Sequence, residues 1–118
     1  MRYLCLIYYD EKSLNALSKS EREALSAESY AYCEVLRQSG QFIAAEPLES
    51  VHTATTVRIK GGRAATTDGP FAETKEQLGG FFMIDVTDLN EAIRVASKIP
   101  PGRLGSVEVR PIKEGGCA

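Results

Sequence analysis

The side chains able to do chemistry fall in a few short stretches. The densest is "TTDGPFAETKEQLGGFF", residues 66–82, which holds Asp68, Glu73, Lys75, Glu76 and Gln77 ahead of a double glycine. A carboxylate held at the end of a strand can act as acid, base or anchor when it faces a cleft. A lysine close by can neutralise an anionic ligand or pair with that carboxylate. The same residues also describe an ordinary turn. Asp68 can bond backbone amides ahead of it, Gly69 supplies positive φ, and Pro70 fixes its own φ. Phe71 would then anchor the loop in the core. Turn chemistry accounts for all four residues of "DGPF", and a site grafted on a fold needs more than one well-placed group.

The remaining candidates are dispersed. His52 is the only histidine and lies in "ESVHTATT", a loop that offers it no partner in sequence. The cysteines, Cys5, Cys33 and Cys117, are odd in number and widely spaced. They suggest neither a disulfide framework nor a zinc site. Cys5 and Cys33 read as small buried hydrophobes, and Cys117 as an exposed thiol in the tail "EGGCA". No Walker loop or GxGxxG fingerprint occurs, and "KGGR" is a hairpin turn without the helix that phosphate binding needs. No cofactor and no metal is expected.

Positioning these groups falls to seven elements. "RYLCLIYY" (2–9) alternates Tyr3, Cys5, Ile7 and Tyr9 with Leu4, Leu6 and Tyr8, and both sets are apolar or aromatic. "SKSEREALSAESYAYCEVLRQSG" (18–40) predicts a helix, with capping-box spacing at Ser18/Glu21 and at Ser20/Glu23 and a stop at Gly40. Leu25, Tyr32 and Leu36 form its apolar stripe, with Cys33 beside it, and Ser29 breaks it. A serine so placed bonds back to its own helix or lines a small cavity against the sheet. Tyr8, Tyr9, Tyr30 and Tyr32 would supply polar handles there. "QFIAAEPL" (41–48), which contains Glu46, is a short strand. "TATTVRIKGGRAATT" (53–67) is a half-exposed hairpin turning at Gly61-Gly62. "GGFFMIDV" (79–86) is a second strand apolar on both faces. "DLNEAIRVASKIPP" (88–101) is a helix capped by Asp88, and "SVEVRPI" (106–112) is a last strand.

Two helices interleaved with strands can cover only one face of such a sheet. The strands at 2–9 and 79–86 need cover on both. A second copy packed sheet against sheet meets that need, so the sequence predicts a homodimer.

Length and composition fit one soluble domain. The chain has 118 residues, is 43% hydrophobic and carries a net charge of -2. The domain is assigned to 1–113 and a flexible tail to 114–118. There is no basic footprint for nucleic acid. No run is long enough to span a membrane. "MRYLCLIYYDEK" lacks the h-region and cleavage site of a signal peptide, so a cytoplasmic location is expected.

Taken together, "RYLCLIYYDE", "VLRQSGQFIAAEPL", "TATTVRIKGGRAATTDGPFAETKEQLGGFFMIDV", "DLNEAIRVASKIP" and "GSVEVRPI" resemble the DGPF family of the YCII-related superfamily. The resemblance covers nearly the whole chain. It implies a ferredoxin-like α+β fold, an antiparallel sheet with two helices on one face, dimerising into an α/β barrel-like assembly. Related YCII proteins are thought to use a His–Asp pair in a cleft, and some resemble isomerases or dehalogenating enzymes. Their histidine sits on the first helix before a Leu-x-x-x-Gly pattern; here the matching position is Ser29. The polar break in the stripe falls at the same place, which implies a cleft whose proton-transfer group is gone. Asp68 belongs to the DGPF motif and does not match that branch's aspartate.

Two readings follow. The first is a protein binding a small molecule between sheet and helices, with Tyr8, Ser29, Glu46, Asp68 and Lys75 as candidate ligand-binding residues and Asp68 the candidate for catalysis. The second is a non-catalytic dimeric module associated with sigma-factor or stress regulation, as the family's occasional link to extracytoplasmic sigma factors implies.

Overall fold

The first strand follows directly from its alternation. In a computed structural model describing all 118 residues, β1 spans Arg2–Tyr9, and Tyr3, Cys5, Ile7 and Tyr9 are buried while the residues between them are half-buried. Asp10 then caps a short helix, α1 (Glu11–Asn15), through a bond from the Lys12 amide. The sequence reading misses this helix. Five residues are too few to display a helical period.

Helix α2 (Lys19–Gln38) uses the first of the two capping boxes. Ser18 Oγ accepts from the Glu21 amide at 3.1 Å, and Glu21 Oε1 accepts from the Ser18 amide at 2.9 Å. That pairing satisfies two otherwise orphaned donors. Ser18→Ala is therefore expected to lower stability by about 0.5–2 kcal/mol, read as a shifted urea midpoint at unchanged m. The helix stops at Gly40, whose φ of +75° suits glycine.

Strand β2 (Phe42–Pro47), β5 (Gln77–Asp85) and β6 (Gly105–Pro111) join β1 in an antiparallel sheet of order β2-β5-β1-β6. Helix α3 (Leu89–Ala96) begins at the Asp88 cap and ends earlier than its stripe suggests. Pro100 holds Ile99, the residue before it, in an extended conformation, and a 3-10 turn over Pro100–Leu104 follows.

Helices α2 and α3 cover one face of the sheet. There Leu36, Ala92, Val95, Ala96 and Ile99 pack against Tyr3, Cys5, Ile7, Tyr9, Phe82 and Ile84. The Tyr32 hydroxyl ties the two helices together by donating to the Val95 carbonyl at 2.7 Å. The other face carries Leu4, Leu6, Tyr8, Phe81 and Met83. Register pairs Leu4 with Met83 and Leu6 with Phe81, so these side chains stand side by side, and no element of the chain covers them.

Strands β3 (Thr55–Lys60) and β4 (Arg63–Asp68) form a separate two-stranded ribbon. Gly61 and Gly62 both have positive φ, +56° and +77°, as a tight primed turn requires. The reading of this hairpin as half-exposed needs correction. Only Thr56 in it is partly buried, and both of its faces meet solvent.

The result is a thin slab, 46 × 43 × 18 Å. Its radius of gyration is 15.9 Å, against roughly 13.5 Å for a globular chain of this length. It exposes 8214 Å², against roughly 6,300 Å² for a monomer of its mass. The sheet does not close into a barrel within one chain.

Candidate functional site

Between α2 and the sheet lies a cleft of about 330 Å³. Ile7, Tyr9 and Phe82 line its sheet side, and Leu25, Ser29 and Cys33 its α2 side. Tyr30, 79% exposed, stands at its rim. The volume falls within the range of small-molecule sites. A second concavity of about 390 Å³ lies against α3 and β6, more open to solvent, with Ser97 and Arg103 as its polar side chains.

The double glycine shapes the cleft. A Cβ on Gly79 would stand 2.3 Å from Cζ of Tyr9, so the phenol ring lies directly on that backbone. The register between β1 and β5 slips at this point, between Ile7 and Tyr8, which leaves Gly79 as the extra residue of a bulge. A Cβ on Gly80 would stand 2.9 Å from the Glu46 carbonyl, so Gly80 lets β2 approach.

Four hydroxyls line the cleft, those of Tyr9, Ser26, Ser29 and Tyr30. Ser29 Oγ donates to the Leu25 carbonyl at 3.0 Å. This is the helix back-bond the sequence allows for, and it leaves Ser29 only acceptor capacity toward a ligand. The Tyr9 hydroxyl makes none of the side-chain hydrogen bonds of the chain. No side-chain polar atom is both fully buried and unpaired, so this hydroxyl stays open to the cleft. Burial raises the Tyr9 pKa above its ordinary value, and the nearby Glu11 carboxylate adds to the shift. Tyr9 is therefore a neutral donor at physiological pH. Glu11 is fixed in turn by Ser50 Oγ, which donates to it at 2.7 Å, and by the Val51 amide at 2.9 Å. The Cys33 thiol is pushed up chiefly by burial, against a smaller opposing pull from Arg37.

Of the residues singled out in the sequence, the cleft brings together Ser29 and Glu46. Glu46 enters through its backbone. Register pairs it with Phe81, which places its side chain toward the open face of the sheet. Tyr8 also lies on that open face, beside Leu78 and Ser106. Asp68 is exposed at the end of β4, paired through its backbone with Thr55. Lys75 is exposed in the loop before β5 and forms no ion pair with Asp68. His52 sits exposed on a 3-10 turn.

The DGPF turn is held from β3 rather than by its own aspartate. The Gly69 amide donates to the Ala54 carbonyl at 2.7 Å, Thr56 Oγ1 donates to the Gly69 carbonyl at 2.8 Å, and Arg58 reaches Thr67 and the Phe71 carbonyl. Gly69 has φ +99°, a conformation that favours glycine. The expectation that Phe71 anchors the loop in the core is overturned, since its side chain is 81% exposed. The loop joins the exposed β4 strand of the ribbon to β5, so Phe71 leaves a strand that has no core of its own.

Tyr9 is among the tyrosines the sequence offers as polar handles, but the list of candidate ligand-binding residues takes Tyr8 in its place. The signal is present, because Tyr9 alternates in phase with Cys5 and Ile7. Which phase faces the helices is set by packing.

Residues 1–115 match the model of the YCII-related domain. The chain belongs to the YCII-related family. A Rhizobium meliloti (strain 1021) protein named Uncharacterized protein R00369 is 38% identical over 114 residues, which cover 95% of this chain and 92% of that one. The YCII-related match runs from β1 through β6 and so includes every element that builds the cleft.

Proposed function

We propose that this YCII-related protein binds a small, uncharged, mostly apolar molecule in the cleft beside Tyr9 and Ser29. The observation that carries this reading is the lining itself. Mostly apolar walls carry the hydroxyls of Tyr9, Ser26, Ser29 and Tyr30; no lysine, arginine, histidine or aspartate lines them, and Glu46, the one acidic lining residue, turns its side chain toward the open face. An ionised ligand would lose hydration there without gaining a counter-ion. The polar break at Ser29, where the resemblance places a histidine in related proteins, coincides with this cleft.

Mass spectrometry of small molecules released from the purified protein tests the reading. Alkylation supplies a second readout. At pH 8, iodoacetamide is expected to modify Cys117 first, Cys33 slowly and Cys5 not at all, because Cys5 is fully buried with its pKa raised to about 11. A cleft ligand should shield Cys33 and leave Cys117 unaffected. A Cys33 rate unchanged by every compound that co-purifies counts against the cleft as the binding site.

The proposed working unit is a homodimer joined through the open sheet faces. The strand order, with α2 and α3 on one face, supports a ferredoxin-like reading of each subunit and a barrel-like pair. Support for the pair comes from the uncovered row of Leu4, Leu6, Phe81 and Met83 and from the surface excess of the single chain. One observation favours a second reading without catalysis. The cleft lining holds no histidine, which suits a dimeric regulatory module of the sigma-factor-associated kind as well as a binding protein.

A further inference from the structure

The β3–β4 ribbon is unlike the rest of the molecule. It touches no other element extensively, and its backbone pairing is entirely internal. An isolated two-stranded hairpin is marginal in water, so its apolar face needs cover. Register assigns Thr55, Val57, Ile59, Ala64, Thr66 and Asp68 to one face. Val57 is 56% exposed and Ile59 75% exposed, both β-branched residues in strands without a core. The opposite face carries Arg58, Lys60 and Arg63, which suit water.

We propose that this ribbon is an arm that closes on a second copy of the chain, Val57–Ile59 face inward. The inference rests on the dimer proposed above and extends it. Area argues for the second copy as occupant. The single chain exposes roughly 1,900 Å² more than a monomer of its mass should, whereas a standard interface covers only about 800 Å² per partner. One sheet face of ordinary interface size leaves more than half of that excess unexplained. The ribbon, with Val57 and Ile59 exposed on one face, adds apolar surface outside that sheet face and belongs to the same subunit. Asp68 lies on the inward face, at the base of the arm. The arm therefore presents Asp68 to the partner subunit, which accounts for its distance from the cleft of its own chain.

The test compares wild type with Val57→Asp/Ile59→Asp and with Lys60→Ala on the opposite face, by sedimentation equilibrium. All three positions are exposed in the single chain, so circular dichroism should show intact subunits. The expected result is a wild-type dimer, at least tenfold weaker self-association in Val57→Asp/Ile59→Asp, and no change in Lys60→Ala. Slowed hydrogen exchange at the Val57 and Ile59 amides in the dimer, lost on dilution to monomer, is expected alongside. A wild-type dimer indifferent to the double substitution overturns the arm while leaving the sheet-to-sheet pair standing. A wild-type monomer overturns both.

Discussion

Sedimentation equilibrium of the wild-type protein is expected to return twice the 12.9 kDa chain mass, and Leu6→Glu or Phe81→Glu is expected to return a single chain. Leu6 and Phe81 are directly paired neighbours on adjacent strands, at the middle of the open face. Neither belongs to the buried cluster beneath the helices. Charging them therefore spares the subunit core. Burying an apolar side chain of this size contributes roughly 1.5–3 kcal/mol, which corresponds to about ten- to hundredfold in Kd. A symmetric pair loses that contribution twice, and a carboxylate left in the contact adds its own desolvation cost. The paired measurement is a melt of Leu6→Glu at low concentration, which should remain cooperative. A wild-type chain that sediments at 12.9 kDa at all concentrations, with variants indistinguishable from it, refutes the dimer.

Gly79→Ala is expected to destabilise the subunit by about 1–3 kcal/mol and to abolish ligand binding in the cleft. The added Cβ would stand 2.3 Å from Cζ, 2.4 Å from Cε2 and 2.4 Å from the hydroxyl oxygen of Tyr9. Those atoms belong to a ring packed in the core cluster, so the side chain cannot swing clear without leaving its neighbours. The substitution thus moves the Tyr9 hydroxyl, a free donor of the cleft. Tyr9→Leu shortens the side chain at the point of collision. Adding it to Gly79→Ala should therefore cost less than the sum of the two single changes, with a coupling of about 0.5–3 kcal/mol. Urea denaturation of the four proteins in the cycle measures this. Additive costs would mean that the ring does not lie on Gly79. Tyr9→Phe separates packing from chemistry: it keeps the ring, should leave stability nearly unchanged, and should weaken any ligand that accepts from the hydroxyl.

Much of this architecture is legible in the order of the amino acids. The two-sided apolar character of residues 2–9 and 79–86 is a property of composition along a strand, and by itself it implies an uncovered sheet face. Local signals are equally readable, because their physics is local: the Ser18–Glu21 box, the Asp88 cap, the Gly61-Gly62 turn and the Ser29 back-bond each involve residues within a few positions of one another. Three matters are decided only by the tertiary structure. Strand phase puts Tyr9 in the cleft and Tyr8 on the open face, and phase depends on which side the helices pack. Register brings Glu46 into the cleft by its backbone and aims its side chain away, and the β2–β5 pairing joins residues far apart in the chain. The direction of the ribbon leaves Phe71 and Asp68 outside their own chain's core, because a turn fixes its own dihedral angles but not what lies beyond it.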